Sequence, residues 1–386
     1  IKELTLDLIR DPQTNIITLV GLNESGKTTI LEAISLFSDE PEADEMHKLI
    51  PKSKKFNFTD TIEIHTTIQL DEKDEDGIKK FSHSLEFKTL KPIKEFTVKL
   101  IYKFKDSSFI EEENNWYFEF RVEGLKKNHS TDKIFNSAST EWKAIEDYIY
   151  KNLLPPIIYY PNFLFDFPVK IYLEASPSED PEQKTYRAVL NDIMDTFNDG
   201  LNIQDHIINR LKSPSEGTNE ALESTIERMS VQITKIVFTA WGQLFNSVGK
   251  EIKLKPSIDP SNGLTYLEVK LKEGAEQFQI SERSLGFKWF FTFLLFTEFR
   301  KNRLSEKGEI LFLLDEPASN LHSAAQKNLL ITFEQLVSKC KMIYTTHSHH
   351  LINPKWLSGA YIVKNKAIDY DKEFNALTEN TDVEAT

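Results

Sequence analysis

The chain of 386 residues predicts an α/β fold in two lobes: a mixed, largely antiparallel first lobe and a parallel-sheet core, with a helical insertion between them. Three observations carry that reading. First, Ile16-Ile17-Thr18-Leu19-Val20, a β-branched apolar run of buried-strand length, leads through a glycine-bearing loop into apolar residues at helical spacing (Ile30, Ile34, Phe37). Second, an apolar strand, an amphipathic helix and another apolar strand follow one another from Ile310 to Thr345. That alternation belongs to parallel sheets with crossover helices. Third, the hydrophobic period between these two ends changes from that of strands to that of helices and back.

Taken in order, Thr61–Leu70 alternates cleanly, as do Ser84–Phe87, Thr97–Phe104 and Trp116–Val122, and each predicts a strand. The acidic stretch Asp71–Gly77 reads as a charged turn between two of them. Pro155-Pro156-Ile157-Ile158-Tyr159-Tyr160-Pro161 reads as a short buried strand bracketed by prolines that closes the first lobe's sheet. From about Pro181 to Gly249 the period is helical: Ala188, Leu190, Ile193 and Phe197 mark one helix, and Leu222, Ile226, Met229, Ile233 and Ile236 mark a longer one. The second set is a heptad seam of only about two heptads, too short for a free coiled coil, so its apolar face packs against the body or a second copy. Ser213–Gly217 is the turn between the helices. After Pro256 strands return at Leu264–Leu271, followed by an apolar helix Trp289–Phe299, a buried strand Ile310–Leu314, a helix through Ala325, Leu329, Phe333 and Leu336, and a strand Met342–Thr345. The expected divisions are lobe I at 1–180, the helical insertion at 181–250, lobe II at 251–366 and an acidic tail or linker at 367–386.

Composition bounds the function classes. Sixty acidic residues against 47 Lys and Arg leave a formal charge of −13, which argues against a generally basic nucleic-acid binder. One local exception is the run Lys88, Lys91, Lys94, Lys99, Lys103 and Lys105, in which Lys99, Lys103 and Lys105 share the polar face of a strand. Either a solvated charged sheet face or a surface for DNA or a partner accounts for it. A single cysteine, Cys340, excludes an internal disulfide framework and a cysteine-rich zinc site, and fits a reducing, cytoplasmic setting. No apolar run has the length of a membrane span and no signal peptide is evident. A first residue Ile1 in place of Met leaves room for a longer parent chain.

The loop after the first strand, Gly21-Leu22-Asn23-Glu24-Ser25-Gly26-Lys27-Thr28, is a complete GxxxxGK[ST] phosphate loop in a strand–loop–helix context. Glycines let backbone N–H groups curl around phosphate oxygens, and the helix N-terminus adds its positive end. Lys27 is expected on the β- and γ-phosphates and the Thr28 hydroxyl on Mg²⁺, which makes ATP with Mg the expected cofactor pair. Gly21, Asn23, Glu24, Ser25, Gly26, Lys27, Thr28 and Thr29 form the expected cradle, with the Glu24 side chain turned away from it. Asp315-Glu316-Pro317 follows the apolar strand, where a parallel sheet presents ligands: Asp315 is placed to help hold Mg²⁺ and Glu316 to polarise an attacking water. His347, in Thr345-Thr346-His347-Ser348, ends the next strand and is placed to reach the γ-phosphate. The neighbouring His349 and His350 are poor evidence for a metal site.

These residues together resemble an ABC-type ATPase head, in the branch with RecF, SMC proteins and the OLD-family (overcoming-lysogenization-defect) ATPases. In that likeness Asp315-Glu316-Pro317 corresponds to Walker B, Ser319–His322 to the D-loop and His347 to the switch histidine. Ser281-Glu282-Arg283-Ser284-Leu285-Gly286 matches the signature segment through Ser284 and Gly286, while Leu285 departs from the glycine common in transporters. No Q-loop glutamine is evident; Asn162 is the candidate to contact Mg²⁺ or water, beside the alternative of a structural proline turn, and Arg10 could touch nucleotide or serve a salt bridge. The resemblance implies a head-to-tail homodimer, or a higher even oligomer, in which Ser284 and Gly286 of one copy complete the ATP site built by Lys27, Thr28, Asp315, Glu316 and His347 of another. It further implies Mg-dependent ATP hydrolysis coupled to control of an effector protein, a nuclease or toxin, in anti-phage defence. The alternative is a RecF- or SMC-like ATP clamp on DNA in repair or chromosome maintenance. Asp369-Tyr370-Asp371 imitates a nuclease acidic pair but reads as linker.

Overall fold

The computed structural model describes residues 4–8, 14–38, 41, 45–111, 115–161, 167–176, 179–197, 199–245, 249–304, 309–317, 321–337, 340–365 and 383–385. The chain divides into two compact units, one of residues 32–157 and one assembled from 1–31 and 158–386. This division differs from boundaries near 180, 250 and 366, because the helices of the middle segment share one hydrophobic core with the parallel sheet. Tyr186, Ile193, Met229 and Ile233 of the helices pack in the same cluster as Ile16, Phe312 and Met342 of the strands.

In the larger unit a six-stranded sheet runs, from one edge, Val383–Ala385, Ala360–Asn365, Ile16–Val20, Cys340–Thr346, Ile310–Leu314 and Ile157–Tyr160. Ile16–Val20 pairs in parallel with both of its neighbours, and Ile310–Leu314 pairs in parallel with Cys340–Thr346. These are continuous aliphatic runs because helices cover both faces of a parallel sheet. The register decides where the chemistry goes. Val20 lies opposite Thr346 and Leu314 opposite Tyr344, so Gly21, Asp315 and the Thr345–His347 segment emerge together at the carboxyl ends of these strands. The proline-bracketed strand Ile157–Tyr160 belongs to this sheet rather than closing the first lobe's. Within the expected tail, residues 367–382 lie outside the described residues, and Val383–Ala385 adds an antiparallel strand beside Ala360–Asn365.

The long helices described in this unit include Pro181–Asp195, Glu216–Phe245, Leu285–Leu304 and Ser323–Leu336. Pro181 opens the first of them, where its missing N–H costs nothing. Along Glu216–Phe245 the seam residues Leu222, Ile226, Met229 and Ile233 are buried in the unit's own core, which resolves the two expected uses of that seam in favour of the body. A second, antiparallel sheet joins Ile171–Tyr172, Thr265–Glu273 and Lys250–Ile258, with Glu276–Gln279 beside Thr265–Glu273. Strands thus begin before Pro256, not after it: Lys250–Ile258 holds that proline opposite Leu267 on the edge of the sheet, the place where a strand tolerates a missing N–H.

In the smaller unit Asp60–Gln69 and Glu95–Lys105 form a long antiparallel pair, with Phe96, Val98, Leu100, Tyr102 and Phe104 all buried. The expected charged turn at Asp71–Gly77 is instead the start of a helix, Glu72–Ser84. Asp71 accepts the Asp74 N–H at 2.8 Å and Asp74 accepts the Asp71 N–H at 3.4 Å, a reciprocal cap that acidic residues supply well at a helix N-terminus. Ser84 closes that helix, so the following strand begins only at Phe87. Trp116–Val122 is likewise two strands, Trp116–Glu119 and Val122–Lys126, which belong to different sheets. On the strand Glu95–Lys105 Lys99 pairs with Glu119 of the neighbouring strand at 2.6 Å, as on a solvated sheet face, and Lys91, outside that strand, pairs with Glu123 of a different sheet.

Candidate nucleotide site

The site grows from the three strand ends that the register aligns. At the first, the Gly21 N–H donates to the Thr346 carbonyl at 3.2 Å, tying the loop to the neighbouring strand. A Cβ on Gly21 would stand 2.5 Å from the Val363 carbonyl oxygen and 2.6 Å from Ser25 Oγ, so only glycine fits. The loop then turns through Glu24 (φ +65°) and Gly26 (φ +100°) into the helix Lys27–Ser35. That helix has no acidic residue in its first turn, so the positive potential of its N-terminal amides is not quenched by its own side chains. The Ser25 hydroxyl is buried there with no hydrogen-bond partner, an unspent polar group within the loop. Asn23, Glu24, Thr28 and Thr29 are exposed, and Glu24 is fixed through its carbonyl, which accepts from Asn365 Nδ2 at 3.3 Å.

Lys27 is 5% exposed and its ammonium spends three contacts at once: Gly21 O and Leu22 O at 2.9 Å each, and Glu316 Oε1 at 3.1 Å. An ammonium has three protons, so all are engaged, two by the loop's own carbonyls and one by Glu316. The Thr28 hydroxyl donates to Asp315 Oδ2 at 2.9 Å. Glu316, beside it, has φ +46°, a left-handed backbone that a non-glycine residue adopts only when held there. Its Oε2 lies 2.7 Å from His347 Nδ1. The Asp315 N–H donates to the Tyr160 carbonyl at 3.1 Å, which fixes that strand end against the sheet's edge strand.

Lys27, Thr28, Asp315, Glu316 and His347 therefore converge in one hydrogen-bonded cluster. Thr345 joins them although sequence reasoning passed over it: its hydroxyl donates to Asp315 Oδ1 at 2.7 Å and accepts the Glu316 N–H at 2.7 Å. Nothing local marks it in a strand that also holds Lys341 and Thr346; the register that sets it level with the acidic strand end does.

Ser284 and Gly286 stand elsewhere. Ser284 is exposed at the N-terminus of the helix Leu285–Leu304, its hydroxyl accepting the Phe287 N–H at 3.3 Å. Gly286 lies under Leu321, whose Cδ2 would be 3.1 Å from an added Cβ. Beyond the cluster, Ser348 donates to Gln326 Oε1 at 2.8 Å, and Gln326 Nε2 donates to the Leu321 carbonyl at 3.0 Å. His349 and His350 stack with ring centroids 3.9 Å apart. Burial, and then the His349 charge, push the His350 imidazole below its ordinary value. Among the described residues no group of three or more His, Cys, Asp or Glu could hold a metal ion by itself. Asn162, Arg10, Ser319, Asn320 and Asp369-Tyr370-Asp371 lie outside the described residues.

The donor set suits the expected ligands. A hydroxyl and a carboxylate in contact are hard oxygen donors of the kind Mg²⁺ takes, with waters and phosphate completing its shell. The glycine-constrained loop, the unspent Ser25 hydroxyl and the helix N-terminus suit phosphate. Among the described residues, no helix is long and apolar enough to cross a membrane.

An uncharacterized protein of Methanocaldococcus jannaschii, MJECL43, is 35% identical over 82 residues, which is 21% of this chain and 21% of that protein. The aligned stretch thus spans about a fifth of that relative's length. Among solved structures, an SMC head bound to the C-winged helix domain of ScpA is 13% identical, with 97% of this chain and 90% of that chain covered and a TM-score of 0.45. A Pyrococcus furiosus Smc head with an extended coiled coil, bound to the C-terminal domain of ScpA, is 14% identical over the same shares, with a TM-score of 0.44. Residues 1–352 match the AAA ATPase domain family (AAA_15), a span that takes in the phosphate loop, Asp315-Glu316 and His347. The chain belongs to the AAA ATPase domain family.

Proposed function

We propose that this protein is a Mg-dependent ATPase whose heads close on ATP as a head-to-tail dimer, and that the dimer is an OLD-like switch controlling a nuclease or toxic effector in anti-phage defence. The observation that carries the ATPase reading is the convergence of Lys27, Thr28, Asp315, Glu316 and His347 through contacts of 2.7–3.1 Å. In this reading Lys27 Nζ leaves the Gly21 and Leu22 carbonyls for phosphate oxygens, and the amides of the 21–28 loop bind the rest of the chain of phosphates. Thr28 and Asp315 hold Mg²⁺, which supplies neutralisation of charge on the β- and γ-oxygens when bound. Glu316, freed from Lys27, accepts a proton from the attacking water, and His347 orients its carboxylate through the 2.7 Å contact. Ser284 and the start of its helix serve the nucleotide of a second copy, which agrees with the serine's exposure and its position outside the Lys27 cluster. Loss of the γ-phosphate then releases the dimer, the logic of nucleotide switches.

The RecF- or SMC-like clamp is the competing use of the same ATPase. It needs unspent cations on a DNA-facing surface, whereas Lys99 and Lys91 are paired with Glu119 and Glu123. The two uses separate in one experiment on the purified protein with ATP and Mg²⁺. Stable capture of a nuclease or toxin without salt-sensitive DNA affinity is expected. ATP-dependent DNA binding that disappears on charge reversal of Lys99, Lys103 and Lys105 would overturn the effector reading in favour of the clamp.

A further inference from the structure

We propose that Thr345 is a positioning residue for both carboxylates of the nucleotide site, setting the affinity for Mg²⁺ through Asp315 and the placement of the water-activating group through Glu316; this rests on the ATPase reading above. Thr345 is fully buried in the strand Cys340–Thr346. A hydroxyl there is costly unless bonded, and valine has the same shape and the same preference for a buried strand. The hydroxyl is fully used in two directions. Its one proton goes to Asp315 Oδ1 at 2.7 Å, and a lone pair accepts the Glu316 N–H at 2.7 Å.

Each bond constrains a different group. Asp315 carries two oxygens, and the Thr28 hydroxyl lies against both, 2.9 Å from Oδ2 and 3.1 Å from Oδ1. When Thr28 turns its proton away to offer a lone pair to a cation, the bond from Thr345 still holds the carboxylate plane, leaving Oδ2 toward the cation. Glu316 is the left-handed residue, φ +46°, and its amide is tethered two residues beyond the strand by Thr345. Without that tether the backbone can relax to an ordinary conformation, which carries the carboxylate away from Lys27 and His347. The register makes the contact unavoidable: Leu314 lies opposite Tyr344, so the next residues, Asp315 and Thr345, are level. What the sequence chooses freely is the hydroxyl. Thr346, one residue on, does a different task, accepting the Ser348 N–H through its side chain at 2.9 Å.

The test is a Mg²⁺ titration of ATP binding on Thr345→Val, Thr345→Ser and Thr345→Cys, read by calorimetry with a metal-free arm in EDTA, alongside steady-state hydrolysis. For Thr345→Val the metal-free affinity should stay within about threefold of the parent. Its Mg²⁺ midpoint should rise roughly tenfold to a hundredfold, the factor expected for a lost hydrogen bond to a charged group, with turnover falling at least as far. Thr345→Ser should bring the midpoint back to within about threefold, because the hydroxyl returns without the methyl. If Thr345→Val does not fold, Thr345→Cys, a weak donor of similar size, should still show a raised midpoint; an unshifted midpoint in it overturns the proposal. So does an unshifted midpoint in folded Thr345→Val, or a serine variant that loses as much as the valine. Absence of Mg-dependent ATP binding in the parent protein is a separate outcome, visible before any variant is compared, and it overturns the ATPase reading with this one.

Discussion

Replacing Glu316 by glutamine tests the chemistry most directly, because it keeps the side chain's shape and removes its charge. In the structure the carboxylate contacts Lys27 Nζ at 3.1 Å and His347 Nδ1 at 2.7 Å, with 16% of the side chain exposed. An amide can retain one contact at each end but cannot take a proton from water. General-base assistance contributes roughly 10²–10⁴ in rate, so Glu316→Gln should raise the barrier by about 3–5 kcal/mol. Affinity for ATP should hold or increase. The variant loses a negative charge beside the phosphates and releases Lys27 from its ion pair, and both changes favour an anion. Single-turnover phosphate release measures the first effect and equilibrium binding the second. Light scattering with ATP should then show a long-lived dimer. A double-mutant cycle with His347→Ala sharpens the test: if His347 acts through the carboxylate, its removal should matter in the parent and matter little in Glu316→Gln. Turnover in Glu316→Gln within about threefold of the parent would refute the assignment of the base. Strict additivity in the cycle would refute the route through His347.

Two further outcomes follow from other parts of the molecule. Lys27→Ala should abolish ATP binding, since it removes the one cation in the loop, and Ser284→Arg should leave binding intact but block hydrolysis by the proposed dimer. Mixed in equal amounts, the two inactive proteins should regain about a quarter of parental turnover, because random pairing leaves one intact composite site in half of the dimers. No recovery on mixing speaks against a shared site. Asp71→Ala, which removes the cap on Glu72–Ser84, should lower stability by about 1 kcal/mol in urea titration without changing ATP affinity. An unchanged midpoint would mean that Asp74 and the buried Ile78 hold the helix start unaided.

What was legible in the sequence was legible for physical reasons, and the failures have reasons too. Phosphate binding demands glycine where Val363 and Ser25 approach the backbone, and a lysine and a hydroxyl at fixed offsets, so the loop at 21–28 leaves no latitude. The buried strands were equally plain because parallel strands are apolar on both faces. The helix Glu72–Ser84 was hidden by its own cap: Asp71 and Asp74 look like a solvated turn until each is seen accepting the other's N–H. Lys250–Ile258 was hidden by Pro256, which argues against a strand only where both edges are paired.

Thr345 was missed for a deeper reason than either of these. Its identity as a threonine suits any buried strand, and its partners, Asp315 and Glu316, are about thirty positions away in sequence, a separation that local patterns do not span. Only the register of two parallel strands, Ile310 opposite Cys340 through Leu314 opposite Tyr344, brings that hydroxyl level with the acidic pair. The groups that meet a ligand are constrained one by one by the ligand's chemistry and show as motifs. A group that aims them is constrained by strand pairing, and becomes visible only when the pairing is known. The cluster around Lys27 therefore divides into a part that sequence can name and a part, centred on Thr345, that only the folded sheet can.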